Sequence, residues 1–152
     1  MNNEVVLDSA EIILAANAGI LRQTENIHRK RQPYHGATES DSWQKHVEGC
    51  LGEKAFAKWA GLYWPGKGKF RDADVGIFQV RRGQEHHYRL ILHKEDHDDQ
   101  KYWLVTGKNG TYIIQGWNWG REGKKEEYWK DPGTGRPAYF VPRSILHPAE
   151  LS

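Results

Sequence analysis

The run Phe70-Arg71-Asp72-Ala73-Asp74-Val75-Gly76-Ile77-Phe78-Gln79-Val80-Arg81 decides how the rest of the chain is read. Apolar and polar residues alternate toward its end, which predicts a strand over Val75–Arg81. Successive side chains on a strand point to opposite faces. Gln79 and Arg81 therefore share one side while Val80 points into the core. Asp74 stands at the start of the strand, where its carboxylate can turn toward the same place. Asp72, two residues earlier, competes for that position.

Upstream, the sequence predicts a helix from about Ser40 to Ala60, with Thr38 or Ser40 as its cap. Trp43, Val47, Leu51, Ala55 and Trp59 recur every four residues and make one apolar stripe. Gly49, Gly52, Glu53, Phe56 and Ala57 occupy a neighbouring face. Glycine lowers helix stability, so two of them predict a close approach of another element. Glu53 is the one acid on that face. An earlier helix begins at Asp8-Ser9-Ala10-Glu11, a capping-box spacing, and continues through Ile12, Ile13, Ala16 and Ile20. It fades between Thr24 and Arg31, ahead of Pro33.

Downstream, strands are expected at Tyr88–His93, Tyr102–Thr106, Thr111–Gly116 and Ala138–Val141. Asn109-Gly110 marks a hairpin, because both central positions of a type I′ turn need positive φ. A short helix or loop falls at Gly120–Trp129. The order predicts a single α+β domain over residues 1–152, a mixed, mainly antiparallel sheet flanked by helices. Residues 1–36 form an N-terminal helix and loop, and 37–152 the core. The Ile77–Arg81 strand is expected at the centre, with the Ser40–Ala60 helix beside it.

The totals narrow the class. In 152 residues, 38% hydrophobic and 28% charged describe a folded, water-compatible domain. No apolar run approaches the ~20 residues of a membrane span, and the first residues lack a signal-peptide pattern. A cytoplasmic location is the expectation. One cysteine, Cys50, leaves no internal disulfide framework and no multi-cysteine zinc site. A net charge of +2 does not by itself argue for nucleic acid, but cations cluster at Lys67, Lys69 and Arg71, and again at Arg81-Arg82. Lys67, Lys69 and Arg82 are the candidate phosphate contacts. Seven tryptophans and seven tyrosines suit a packed sheet, or stacking on bases.

Glu53, Asp74, Gln79 and Arg81 gather two acids, an amide oxygen and a cation toward one sheet edge. Such oxygens are ligands for Mg²⁺ or Mn²⁺, which can activate water beside a phosphodiester. His86, His87, His93 and His97 also crowd one stretch, but an exposed hairpin accounts for them without metal.

The order helix-with-Glu, Asp-Val-Gly, then (Glu/Gln)-x-(Lys/Arg) resembles the PD-(D/E)XK, restriction-endonuclease-like nuclease superfamily. The chain is also similar to a group of phage and prophage proteins. That similarity lies in residues 48–58 and 74–81, in Leu104-Val105-Thr106-Gly107, in Gly116-Trp117, and in Ala138-Tyr139-Phe140-Val141-Pro142. The resemblance implies Glu53, Asp74 and Gln79 as metal ligands and Arg81 as the cation facing the scissile phosphate. Three departures stand out. Ala73 replaces proline, Gln79 replaces an acid, and Arg81 replaces a lysine, so the site loses one negative charge and its cation cannot give up a proton. The resemblance therefore implies a Mg²⁺-dependent deoxyribonuclease encoded by a phage or prophage. A non-catalytic nucleic-acid-binding module on a degenerate nuclease scaffold, or a protein-binding accessory, also fits these residues. DNA is the expected partner, and a homodimer is compatible with the sequence.

Overall fold

The computed structural model describes residues 3–29, 39–66, 73–133 and 135–151. The first strand, β1 (Glu4–Val6), leads into α1 (Ser9–His28), and α2 (Glu39–Ala60) follows. Then come β2 (Gln79–Gly83), β3 (Leu90–Leu92), β4 (Lys101–Lys108), β5 (Thr111–Trp119), the single turn α3 (Gly120–Gly123), β6 (Trp129–Lys130) and β7 (Ala138–Val141). The result is a small α+β domain. No helix among the described residues is long and apolar enough to cross a membrane.

The start of α1 follows its sequence signal. Asp8 Oδ1 accepts from the Glu11 N–H and Glu11 Oε1 accepts from the Asp8 N–H, both at 2.8 Å. Two of the helix's unpaired donors are thereby satisfied. The Asn109-Gly110 turn has φ of 55° and 95°, and joins β4 to β5. In β4 every residue from Tyr102 to Gly107 is buried, so this strand is covered on both faces.

Four strands form the main sheet in the order β1-β5-β4-β2. β4 and β5 are antiparallel, β1 runs antiparallel to β5, and β2 is parallel to β4. The second sheet has the order β3-β7-β6. One core lies between α2 and the main sheet, centred on Phe56, Trp103, Val105, Tyr112 and Ile114. A second core lies between the sheets, with Leu90, Leu92, Tyr102, Leu104 and Val141. Trp103 belongs to one core and its neighbours Tyr102 and Leu104 to the other, as strand alternation requires.

Three expectations are corrected. The strand containing Gln79–Arg81 lies at the end of the main sheet, not at its centre. Most of the predicted Val75–Gly76–Ile77–Phe78 stretch is instead a tight reversal closed by a Val75–Phe78 bridge, with Gly76 at φ 58°. That positive φ suits glycine and ends the strand pattern. Third, Gly49 meets nothing within 4 Å of an added Cβ. Gly52 does mark a close approach, with Arg82 Cβ at 3.2 Å.

A close approach of one helix to another is marked by Gly19 of α1. A Cβ there would lie 2.5 Å from Val47 Cα, backbone that cannot move aside cheaply. Gly19→Ala is therefore expected to destabilise by about 1–3 kcal/mol through forced separation of the helices. Urea unfolding measures this, and an unchanged midpoint would show that α1 is free to move away from α2.

Candidate nucleic-acid interface and the buried acid pair

α2 carries Glu53 into the space between α1 and the hairpin before β2. Both of its oxygens are engaged. Arg22 Nη1 donates to Oε2 and Nη2 to Oε1, each at 2.9 Å, and Trp64 Nε1 donates to Oε1 at 3.0 Å. The pair is secluded, with side-chain exposures of 13% for Arg22 and 7% for Glu53. Burial alone would lower the Arg22 guanidinium, but the bidentate carboxylate more than reverses this and leaves it above its ordinary value.

Asp74 comes from the other side. Its Oδ2 accepts from the Val80 N–H at 2.8 Å, and so occupies a backbone donor of the strand at the sheet's end. Burial, then the nearby Glu53 carboxylate, push Asp74 up to about 7, against the pull of the Val80 N–H, Arg81 and Arg22. The Cys50 thiol beside them is pushed up to about 12, first by burial and then by Glu53. A thiol held that high is not a nucleophile at neutral pH.

Glu53 and Asp74 are thus brought close enough to influence one another. Gln79 and Arg81 are directed elsewhere. Val80 belongs to the α2-side core, so its two neighbours project to the opposite face. There Gln79 Nε2 donates to Gln100 Oε1 at 2.9 Å, and Arg81 Nη2 donates to Asp96 Oδ1 at 2.8 Å. The Arg81 guanidinium also lies 5.0 Å from the centroid of Tyr102, a residue of the second core. The Glu53–Asp74–Gln79 donor set is not assembled at one point, and the Glu53 oxygens already serve three N–H donors. This arrangement does not fit Mg²⁺. Among the described residues, no group of three or more His, Cys, Asp or Glu side chains is placed to hold a metal ion.

Of the candidate phosphate contacts, Lys67 and Lys69 lie outside the described residues, as does Asp72. Arg82 is turned inward. Its Nε donates to the Gly107 carbonyl at 2.9 Å, and its Nη2 lies 3.5 Å from Glu48, a buried acid that also accepts from the Tyr112 hydroxyl. It ties α2 to the sheet.

Sequence reading missed a different cluster, which begins at the Asp74 hairpin. Phe78, whose carbonyl accepts from the Asp74 N–H, faces a row of rings and cations on β4 and β5. Lys101 Nζ sits 4.2 Å from the Trp117 centroid, 5.3 Å from Trp119 and 5.9 Å from Phe78. The Arg121 guanidinium lies 4.8 Å from Trp119. His147 stacks on Trp117 at 4.2 Å and 26°, and its Nε2 is 2.9 Å from Glu122, whose charge helps orient the ring. Lys101, Trp117 and Trp119 are half-buried and Arg121 is exposed. The alternation Trp117-x-Trp119 with Lys101 opposite on the neighbouring strand was the available signal, since Lys101 pairs with Trp119 in register. The chain matches no protein-family model, no curated protein and no solved structure.

Proposed function

We propose that this domain binds nucleic acid through the Lys101–Trp117–Trp119–Arg121 row, and that Glu53 and Asp74 serve the fold. The observation that carries the reading is the placement of two cations on ring faces along one strip. Ring quadrupoles hold such cations over the aromatic surface. A polyanion with flat bases complements that strip independent of sequence, with phosphates on the cations and a base against the open part of Trp119, the faces of Trp117 being taken by Lys101 and His147. The tryptophan-rich composition and the resemblance to nucleases agree with nucleic acid as the ligand class. The acids are accounted for by their partners, Glu53 by Arg22 and Trp64, and Asp74 by the Val80 N–H.

A metal-dependent DNA nuclease on a restriction-endonuclease-like core is the second reading. It is favoured by one observation, the closeness of Glu53 to an Asp74 whose acidity is displaced to about 7. It requires Gln79 and Arg81 to act from the face opposite α2.

Tryptophan fluorescence during titration with a single-stranded oligonucleotide tests the first reading. Quenching that weakens steeply with salt is expected, because phosphate contacts release counterions. Trp119→Ala should cost about 1–3 kcal/mol of binding, and Lys101→Ala should also reduce the salt slope by about one. Binding untouched by both substitutions removes the row as the interface. Supercoiled plasmid incubated with Mg²⁺ or Mn²⁺ addresses the second reading, since cleavage lost in Asp74→Ala would restore the acid pair as a catalytic centre.

A further inference from the structure

The side of α1 that meets the rest of the fold is mostly small and polar. Ala15, Gly19 and Gln23 are its buried positions, and Ile12 packs against the core beside them. Five other large aliphatic residues point the other way. Ile13, Leu14, Ile20, Leu21 and Ile27 are 59, 65, 45, 58 and 48% exposed. An amphipathic helix normally buries its large side chains, so this one is inverted with respect to its own domain.

The exposed residues are also regularly spaced. Ile13, Ile20 and Ile27 recur every seven positions, as do Leu14 and Leu21. Asn17 and Thr24 fall between the isoleucines, so the seam Ile13-Asn17-Ile20-Thr24-Ile27 advances by alternate steps of four and three. That is the a/d spacing of a coiled coil, with isoleucine at every d and a polar residue at each a. The seam holds no acidic or basic residue and runs about 21 Å along the helix. The five aliphatic side chains leave about 500 Å² of apolar surface, near the upper end of what a monomer exposes. Two such faces pressed together would bury about 1,000 Å² in total, the lower bound for a specific interface.

We propose that α1 is a dimer interface, its exposed seam packed in parallel and in register against α1 of a second copy of this chain. The orientation follows from Asn17. In a parallel pair each a residue faces its own counterpart, so Asn17 meets Asn17 with amide hydrogen bonds available across the axis, while the Thr24 hydroxyl already donates to the Ile20 carbonyl of its own helix at 2.8 Å. An antiparallel pair sets a against d, and every d here is isoleucine, leaving the buried Asn17 amide against hydrocarbon. An asparagine at a is also the feature that fixes two strands and one register. The interface is isologous and closes on itself. It buries the one large apolar face of α1.

Sedimentation equilibrium of the full chain over about 1–100 μM, a range suited to micromolar dissociation constants, reads the association directly. A dimer is expected. Ile20→Glu places a charge at the centre of the seam and should weaken association at least a hundredfold, while the unfolding transition of the protomer is retained. Asn17→Lys is a second variant with the same expected effect at a position already exposed. Ile13→Cys and Ile27→Cys, made singly, should each form a disulfide with its own counterpart on mild oxidation, since Cys50 is buried and does not compete. A monomer throughout the concentration range overturns the proposal, as does a dimer indifferent to both Ile20→Glu and Asn17→Lys. Cross-links that form only when Ile13→Cys and Ile27→Cys proteins are mixed overturn the parallel arrangement.

Discussion

Glu53→Ala is expected to destabilise the protein by about 3–5 kcal/mol at neutral pH, the range for removing one partner of a buried ion pair. The loss comes chiefly from what remains. Arg22 would keep its charge in a secluded place with both terminal nitrogens unpaired, and the Trp64 indole N–H would lose its acceptor. Replacing both partners, as in Arg22→Met with Glu53→Leu, should recover most of the stability, because neither then leaves a stranded charge. Urea unfolding of the single and double variants measures both effects. A single variant as stable as wild type would mean that Arg22 reaches solvent, and the structural role assigned to Glu53 would fall with it.

Asp74→Asn is expected to change how stability depends on pH. In the folded protein, burial and Glu53 hold Asp74 near 7, against an ordinary value of 3.8. The unfolded chain therefore ionises this group first as pH rises. Stability associated with Asp74 is complete below about pH 4, falls as pH climbs toward 7, and levels off above it. Asparagine keeps an oxygen for the Val80 N–H and has no proton to lose. At pH 8 the variant should exceed wild type by about 2–4 kcal/mol, and at pH 4 the two should converge. Unfolding midpoints at both pH values decide this. A wild-type protein whose advantage or deficit against Asn is the same at both would show that Asp74 ionises freely in the fold.

These two residues also show what was legible in the chain. Strongly local signals carried through: the Asp8–Glu11 capping box, the Asn109-Gly110 turn, the long second helix and the α+β order all depend on neighbours within a few positions. Gly52 was readable in part only, since Gly49 in the same helix carries the same signal and meets no close neighbour. The edge position of β2 was not readable. Alternation predicts which side chains share a face but says nothing of which strand lies beside which. The site suffered from that gap. Gln79 and Arg81 were correctly placed on one face, yet that face is opposite Glu53, because Val80 between them is what packs toward α2. Arg22 was invisible as a partner for Glu53, being thirty-one positions away on another helix. The exposure of Ile13 and Ile20 could not be read either. Periodicity identifies an apolar face without saying whether the same chain covers it.

The position of β1 has a consequence for the time course of folding. Glu4, Val5 and Val6 pair with Ile113, Tyr112 and Thr111, so the first strand is joined to a partner more than a hundred residues later. Between them the chain must form both helices and lay down β4 and β5. During synthesis the two helices are free to dock on one another early, but the main sheet cannot acquire its outer strand until β5 has left the ribosome. Closing so long a loop costs entropy before any contact rewards it, and topologies of this kind fold slowly for their size. β1 has to wait for a partner that is made long after it.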